Sequence, residues 1–476
     1  MADSSIKHKT LNSVLWKILE TGGTQFIQFV ISVFLARLVL PDQFSAIAMM
    51  TIFIAVANVF VDSGFSNALI RKPERTQADC CTVFYFNIAI AIVAYLIIFA
   101  ISPFVADFYN LPELKMLLKV MSLSIVINSF AAIHRTLFIA EMKFKVLAIY
   151  NMASLFVSGI IGVFLAYKGY QVWALVLHSL INAILSTIFV WFSSTWRPSF
   201  IFSRQSLKEF FGFGSKLLGS RLLDTIYNNI YGVVIGKVFA RADLAFYNRA
   251  QALSIMTSST PTNVLASVSY PALCKIQDDN DRLRDGYRKM ISLSAFVIFP
   301  LCLGVGAVSY PLIDVLYTNI WIYAATLLQI IVFAGMWYPI HAINVNFLLV
   351  KGRSDLVFRI EILKKIVGVA ILAATIPFGL EAMCYGSIVS SIICLVINTH
   401  YTGKFIGMGI IQQATDFSPA LILSLAMFVS CKALSTLMGN GLESLVASIL
   451  LGFVIYLGGA IIFKVKGLQL LLNIRK

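Results

Sequence analysis

Residues 80–102 read CCTVFYFNIAIAIVAYLIIFAIS, a stretch without one charged side chain. About 20 apolar residues of α-helix cross the hydrocarbon core of a bilayer, so this stretch is long enough to span it. Runs of the same kind recur near 11–39, 43–62, 115–138, 146–167, 171–192, 213–238, 243–270, 288–309, 322–350, 356–377, 381–402, 417–437 and 443–464. Together they make fourteen, joined mostly by short loops. The run 356–377 is the least regular, because Lys364 and Lys365 interrupt it.

Composition agrees. Of 476 residues, 59% are hydrophobic and only 12% charged, and the mean hydropathy is +0.86. Soluble domains carry about 25% charged residues, and half that density cannot solvate a chain of this length. Disordered, nucleic-acid-binding and ordinary soluble-enzyme classes are excluded; the chain is an integral membrane protein. Its seven cysteines are odd in number and lack metal-clamp spacing, so neither a disulfide framework nor a metal site is expected. Asp279-Asn280-Asp281 matches a D-x-D metal pattern, but Arg282 and Arg284 crowd it, and it reads as a solvated turn. There is no G-x4-G-K-[ST] phosphate loop, and no cofactor is expected.

Lys and Arg set the orientation. With the N-terminus inside, twenty-two of them fall in cytoplasmic segments and five in outer ones. An even span count then leaves both termini cytoplasmic. This topology also accounts for the net charge of +15, so a nucleic-acid partner is not implied. Asp3 and the length of the first apolar run speak against a cleaved signal peptide.

Residues 196–212, WRPSFIFSRQSLKEFFG, mix aromatics with Arg197, Arg204 and Lys208. They are too polar to span and read as an amphipathic stretch on the inner leaflet. Sliding the chain by 200 positions aligns Ile31–Arg37, followed by Pro41-Asp42 and Phe44, with Tyr231–Lys237, followed by Asp243-Leu244 and Phe246-Tyr247. Both junctions end a span with polar residues at its middle. The expected fold is therefore all-α and integral to the membrane, with about fourteen helices. These form an N-lobe (1–192), an amphipathic cytoplasmic linker (193–212), a pseudo-symmetric C-lobe (213–402) and two C-terminal helices (403–476). A cavity between lobes is expected.

Short motifs then point to a family. They are Leu35-Ala36-Arg37 with Pro41 and Phe44; Asp62-Ser63-Gly64-Phe65 with Ala68-Leu69-Ile70; Phe144-Lys145; and Trp196-Arg197-Pro198. Tyr247-Asn248-Arg249-Ala250, Tyr270-Pro271 with Lys275–Asp279 and Leu283, and Gly352-Arg353 complete the set. In this order they resemble the Wzx-type polysaccharide flippases of the superfamily that also holds the MATE drug exporters and the lipid II flippase. Three positions depart from the pattern: Ser45 where Gly is usual, Tyr270 where Phe is common, and no Gly before Trp321.

The resemblance implies a protein that moves an undecaprenyl-diphosphate-linked oligosaccharide across the bacterial cytoplasmic membrane, for O-antigen, capsule or exopolysaccharide assembly. Membrane lipid and other glycan-assembly proteins, such as a polymerase, would be its partners. Cations in the cavity would hold the diphosphate, and aromatics and amides would pack on sugars.

A charge at the bilayer centre costs at least about 2.5–3.5 kcal/mol, so intramembrane charges are the candidates. Arg221, Arg249, Lys364 and Arg135 are candidate substrate ligands; Glu20 and Asp224 are candidates for ion coupling. Glu20 reads either as a cavity carboxylate or as the partner of Lys17 one turn before it. Arg221 and Asp224 are also one turn apart and form a candidate pair, either static or opened by substrate. Arg249 can snorkel to the surface, and Arg135 suits the interface. Asp62 reads best as a cap for the turn that follows. His134, His178, His341 and His400 read as core histidines, with His341, Asn344 and Asn346 on one polar face, and Gly232-x3-Gly236 as a helix contact.

Two rival functions remain. A cation-coupled drug exporter of the MATE type would favour an acidic cavity rather than these cations. A membrane-bound glycan-modifying enzyme would need a nucleophile, base or metal centre, and no pattern of that kind is present.

Overall fold

The computed structural model describes residues 2–62, 64–72 and 74–474, without the side chains of 2–15, 17, 18, 213, 215–217, 267, 268, 272, 473 and 474. Among the described residues, nineteen α-helices follow one another. They are α1 (Ala2–Leu38), α2 (Pro41–Asp62), α3 (Phe65–Arg71), α4 (Gln77–Phe108), α5 (Leu114–Ala140), α6 (Phe144–Tyr167) and α7 (Val172–Ser193). Next come α8 (Arg204–Val238), α9 (Arg241–Thr257), α10 (Ser259–Cys274), α11 (Asn280–Ala307), α12 (Ser309–Tyr317), α13 (Ile322–Gly335) and α14 (Tyr338–Val350). The last are α15 (Ser354–Thr375), α16 (Leu380–Ile406), α17 (Ile410–Met438), α18 (Leu442–Ile462) and α19 (Lys466–Ile474).

Among the described residues, eleven helical stretches are long and apolar enough to cross a membrane. The other three expected spans are helical as well. In α8 and α15 charged and polar residues dilute the apolar run, and the third is broken into α9 and α10. Backbone groups in hydrocarbon must be satisfied within the protein, which is why an apolar chain of this kind is helical nearly throughout.

Prolines set several breaks. Pro261, Pro311 and Pro339 each lie four residues beyond the last residue of the preceding helix: Thr257, Ala307 and Gly335. Proline lacks the N–H that would bond that carbonyl, and its ring clashes with it. In α4 and α11 the helix continues past a proline, and another donor takes the freed carbonyl. Ser102 Oγ donates to the Phe99 carbonyl freed by Pro103 (2.9 Å), and Tyr456 Oη to the Phe296 carbonyl freed by Pro300 (2.7 Å).

The chain divides into two compact units, residues 1–245 and 246–476. In the first, α1 packs on α6, α4 on α5, α7 on both α5 and α6, and α2 on α8. Two cores hold it. One gathers Phe65, Leu69, Val83, Phe84, Ile133 and Phe210; the other gathers Ile31, Leu35, Leu155, Ala174 and Leu175. Small residues permit close approach in such packing: Gly159 of α6 faces Ile31 of α1 with no room for a Cβ. Gly236 is likewise tight against Leu244, Tyr109 and Met49, whereas Gly232 is nearly open. Helix α1 runs unbroken through Gly22 and Gly23.

Residues 194–203 form an extended strap rather than a helix. The strap is pinned to α4. Trp196 Nε1 donates to Gln77 Oε1 (2.7 Å), Gln77 Nε2 to the Arg197 carbonyl (2.8 Å), and the Ser203 amide to Thr82 Oγ1 (2.9 Å). Ser203 then caps α8 through the Ser206 amide, and α8 continues through 212 into the expected seventh span without interruption. The start of α4 carries a capping box, Thr76 with Asp79. Lys72 bridges Asp79 and Glu209, and the Asp79 hydrogen bond is the main reason its ammonium is held above the ordinary lysine range.

In the second unit, α11 is the central helix, packed on α13, α14, α17 and α19. Tyr287, Ile291, Ala295, Ile298, Phe299 and Cys302 are fully buried along it. Arg288 of α11 grips Asp416 of α17 through Nε and Nη2 (2.9 Å each), and Lys466 of α19 approaches the same carboxylate at 3.9 Å. The two junctions aligned by the 200-residue shift have one form. Leu38 and Val238 end a helix, two residues intervene, and a new helix starts at Pro41 and Arg241.

Candidate substrate site

Arg221 lies near the middle of α8. Its Nη1 donates to Asp62 Oδ2 at 2.9 Å, and the side chains remain 40% and 55% exposed. The expected partner, Asp224, is not the one it takes. The reason is packing: α2 lies along α8, and the carboxylate at its end reaches the guanidinium, whereas an i,i+3 pair stabilises a helix by only a few tenths of a kcal/mol. Asp62 therefore acts as an ion-pair partner, not as a cap. Helix α3 starts after Gly64, which has φ +75° and no side-chain cap; that left-handed conformation suits glycine.

Glu20 is buried, and Asn151 Nδ2 of α6 donates to its Oε1 at 2.8 Å. The side chain of Lys17 lies outside the described residues. Arg135 of α5 turns into the same unit rather than to the interface. Its Nη2 donates to Ser186 Oγ of α7 at 2.7 Å, its Nε is buried without a partner, and the charge of Glu20 acts on it. Four helices thus meet around a carboxylate and a guanidinium. Sequence reasoning missed Asn151 and Ser186. The available signal was the polar stripe Asn151-Ser154-Ser158 on α6 and His178-Asn182-Ser186 on α7, at helical spacing.

In the second unit, Arg249 of α9 stands over the faces of Tyr317 (5.5 Å) and Trp321 (5.4 Å), a cation–π setting. Lys364 of α15 pairs with Glu361 one turn earlier and is the more buried partner, 15% exposed against 40%. His341 and Asn344 do not share a network. His341 meets Ser391 and Asn398 of α16; Asn344 meets Gln413 and Thr402. His134 is buried against the rings of Trp191 (4.7 Å) and Trp196 (5.2 Å). Among the described residues no group of three His, Cys, Asp or Glu side chains could hold a metal ion. Asp279, first of the D-x-D triplet, caps α11 by accepting from the amides of Asp281 and Arg282.

Residues 34–326 match a family described as "Polysaccharide biosynthesis protein". The chain belongs to that family. The match includes Asp62, Arg135, Arg221 and Arg249 and stops short of His341 and Lys364. The chain is 24% identical over 400 residues to the lipopolysaccharide biosynthesis protein WzxC of Escherichia coli K12, covering 83% of this chain and 80% of that one. It is 23% identical over 460 residues to the succinoglycan biosynthesis transport protein ExoT of Rhizobium meliloti, covering 95% and 93%.

Among solved structures, the inward closed conformation of lipid II flippase MurJ matches with a TM-score of 0.75 at 16% identity, covering 94% of this chain and 98% of that one. An inward-facing MATE family transporter of the MOP superfamily matches with a TM-score of 0.65 at 14% identity, covering 81% and 94%. At such identities the likeness is one of fold: this polysaccharide biosynthesis protein has the multi-pass architecture of membrane transporters. Two of the motif segments that carry the family resemblance make local contacts. Lys351 pins the Gln277 carbonyl and Asn280 Oδ1 (2.7 and 2.8 Å), and Arg353 forks onto Asp355 (2.9 Å for both bonds).

Proposed function

We propose that this protein flips an undecaprenyl-diphosphate-linked oligosaccharide from the cytoplasmic to the periplasmic leaflet of the bacterial inner membrane, by alternating access. Both termini are cytoplasmic in this reading, and the delivered unit is used by glycan-assembly proteins at the outer face. The observation that carries it is the Arg221–Asp62 pair, a single-contact ion pair left open on both sides within the first unit. A guanidinium recognises phosphate oxygens bidentately, so a diphosphate competes well for Arg221. Arg249 and Lys364 supply further cations in the second unit, and Arg135 in the first. Release of Asp62, together with Glu20 and Asp224, provides carboxylates through which an ion gradient can be coupled. Family membership and the names of the relatives support the substrate class.

The test uses a bacterium lacking this gene and carrying the matching glycan pathway. Lipid-linked oligosaccharide is labelled and its leaflet determined. Accumulation at the cytoplasmic face, relieved by the wild-type gene but not by Arg221→Ala, is expected. Normal periplasmic delivery without the gene, in a strain with no second exporter, overturns the reading and favours drug export on the same fold.

A further inference from the structure

Helix α19 has no part in the proposed transport, yet it is seated closely on the second unit. It packs on α11, where Gly467 lies so near Phe296 and the Ser292 carbonyl that a Cβ would have no room. At about 100° per residue, its remaining side chains sort onto two faces. Lys466 and Gln469 share one and are exposed; Leu468, Leu471 and Leu472 share the other, with Leu471 and Leu472 exposed. A helix divided in this way lies in the interface of a bilayer, its apolar face toward the acyl chains.

Two cations converge beside that face. Arg288 of α11 bonds Asp416 of α17 through Nε and Nη2, whereas Lys466 Nζ stops 3.9 Å from Asp416 Oδ1, beyond hydrogen-bonding distance. The carboxylate is enclosed, and both cations keep a solvent-facing part. A guanidinium has five N–H donors and an ammonium three. Asp416 leaves the Nη1 donors of Arg288 unused and takes none from Lys466. Both groups are drawn to one oxygen, Oδ1, at 2.9 and 3.9 Å, so a single phosphate can span them. The charge balance favours such an anion. Within four positions of Arg288, Asp416 and Lys466, the acids are Asp285 and Asp416, and the bases are Arg284, Arg288, Lys289, Lys464 and Lys466.

We propose that the junction of α11, α17 and α19 is a binding site for an anionic phospholipid, its phosphate bridged by Arg288 and Lys466 and its acyl chains laid on Leu471 and Leu472. The Arg288–Asp416 pair stays closed as the lipid binds, because the phosphate uses donors that the carboxylate leaves over. Free phosphate would satisfy the cations alone; the apolar face beside them selects a lipid. In the proposed topology the site opens to the inner leaflet, whose anionic lipids attract cytoplasmic Lys and Arg. It uses none of the residues assigned to the transported substrate.

The experiment places the full-length protein in nanodiscs of phosphatidylcholine with a minority of phosphatidylglycerol, and native mass spectrometry reads which lipid stays bound on release. Wild type is expected to retain phosphatidylglycerol above its share of the bilayer. Lys466→Gln is expected to lower that enrichment about fivefold, the worth of one lysine at an anionic lipid surface. Its thermal midpoint in phosphatidylcholine alone is expected to match wild type, since Lys466 makes no hydrogen bond to Asp416. Leu472→Ser keeps every charge and is expected to lower the enrichment as well. No enrichment in wild type overturns the proposal. So does an equal loss in Lys208→Gln, at an exposed lysine of α8, because charge elsewhere on the protein would then suffice. Enrichment that inorganic phosphate removes and Leu472→Ser leaves intact marks a free-phosphate site and overturns the lipid assignment. Preferential displacement by undecaprenyl diphosphate gives the site to the transported substrate and overturns it too. The delivery assay with Arg221→Ala is untouched by these outcomes, so the two readings fail separately.

Discussion

Two Arg–Asp pairs, one in each unit, are built in opposite ways. Arg288 forks onto Asp416, whose side chain is 3% exposed, with Lys466 nearby. Arg221 touches Asp62 through one nitrogen, and both side chains are open. In the first pair the carboxylate is enclosed where α11, α17 and α19 meet while Arg288 stays 38% exposed, so Asp416 is the partner that depends on its cation. The second can open without stranding a charge in a dry core. Enclosure separates an ion pair that holds helices together from one that can exchange its partner for a ligand.

Substitutions break or sharpen that contrast. The largest loss of stability is expected at the enclosed pair. Asp416→Ala leaves Arg288 unpaired and costs about 3 kcal/mol, the lower end for a broken buried pair because Arg288 is partly exposed. It is read as loss of folded protein in detergent. Next is Gly159→Leu, which forces a side chain into Ile31 of α1 and costs about 1–3 kcal/mol by overpacking. Ile31→Ala in the same chain is expected to restore part of the thermal midpoint. Arg221→Ala changes stability by no more than about 1 kcal/mol, as for an exposed pair, yet abolishes delivery to the outer leaflet. A variant that loses both in parallel would make Arg221 structural. Smallest is Arg353→Ala. Asp355, held to about 2 chiefly by its hydrogen bonds from Arg353, is fully exposed, so no shift in thermal midpoint is expected at neutral pH. The Arg353–Asp355 contribution, small as it is for an exposed pair, is present above the ordinary carboxylate range and is lost as the pH falls through about 2, so any residual difference between Arg353→Ala and wild type is expected to disappear in acid.

The contrast also explains what could be read from the chain alone. Helical spans were legible because hydrocarbon demands long apolar runs, and each expected run is found in helix. The break at Ser258 was missed although Pro261 is in plain view, because Pro103 and Pro300 sit inside helices that continue. At those two the freed carbonyl has a substitute donor, Ser102 or Tyr456, and the latter lies on another helix. The same limit applies to the site. Arg221 and Asp224 are adjacent on a helix, so local spacing favoured that pair; Asp62 is 159 positions away, and only the packing of α2 on α8 brings it near. Glu20 was legible as an intramembrane charge, but its donor Asn151 comes from α6 and was not. Charges announce themselves in an apolar sequence, whereas their partners depend on which helices pack.

The exchange at Arg221 is the centre of the account, and binding measures it directly. Undecaprenyl diphosphate is titrated into wild-type protein, Arg221→Ala and Asp62→Asn in nanodiscs. Removing the guanidinium is expected to weaken binding by at least about tenfold, the worth of one charge-assisted contact. Removing the competing charge at Asp62 is expected to tighten it. Unchanged affinity in both variants would contradict the account, because Arg221 and Asp62 would then be a pair that the substrate never opens.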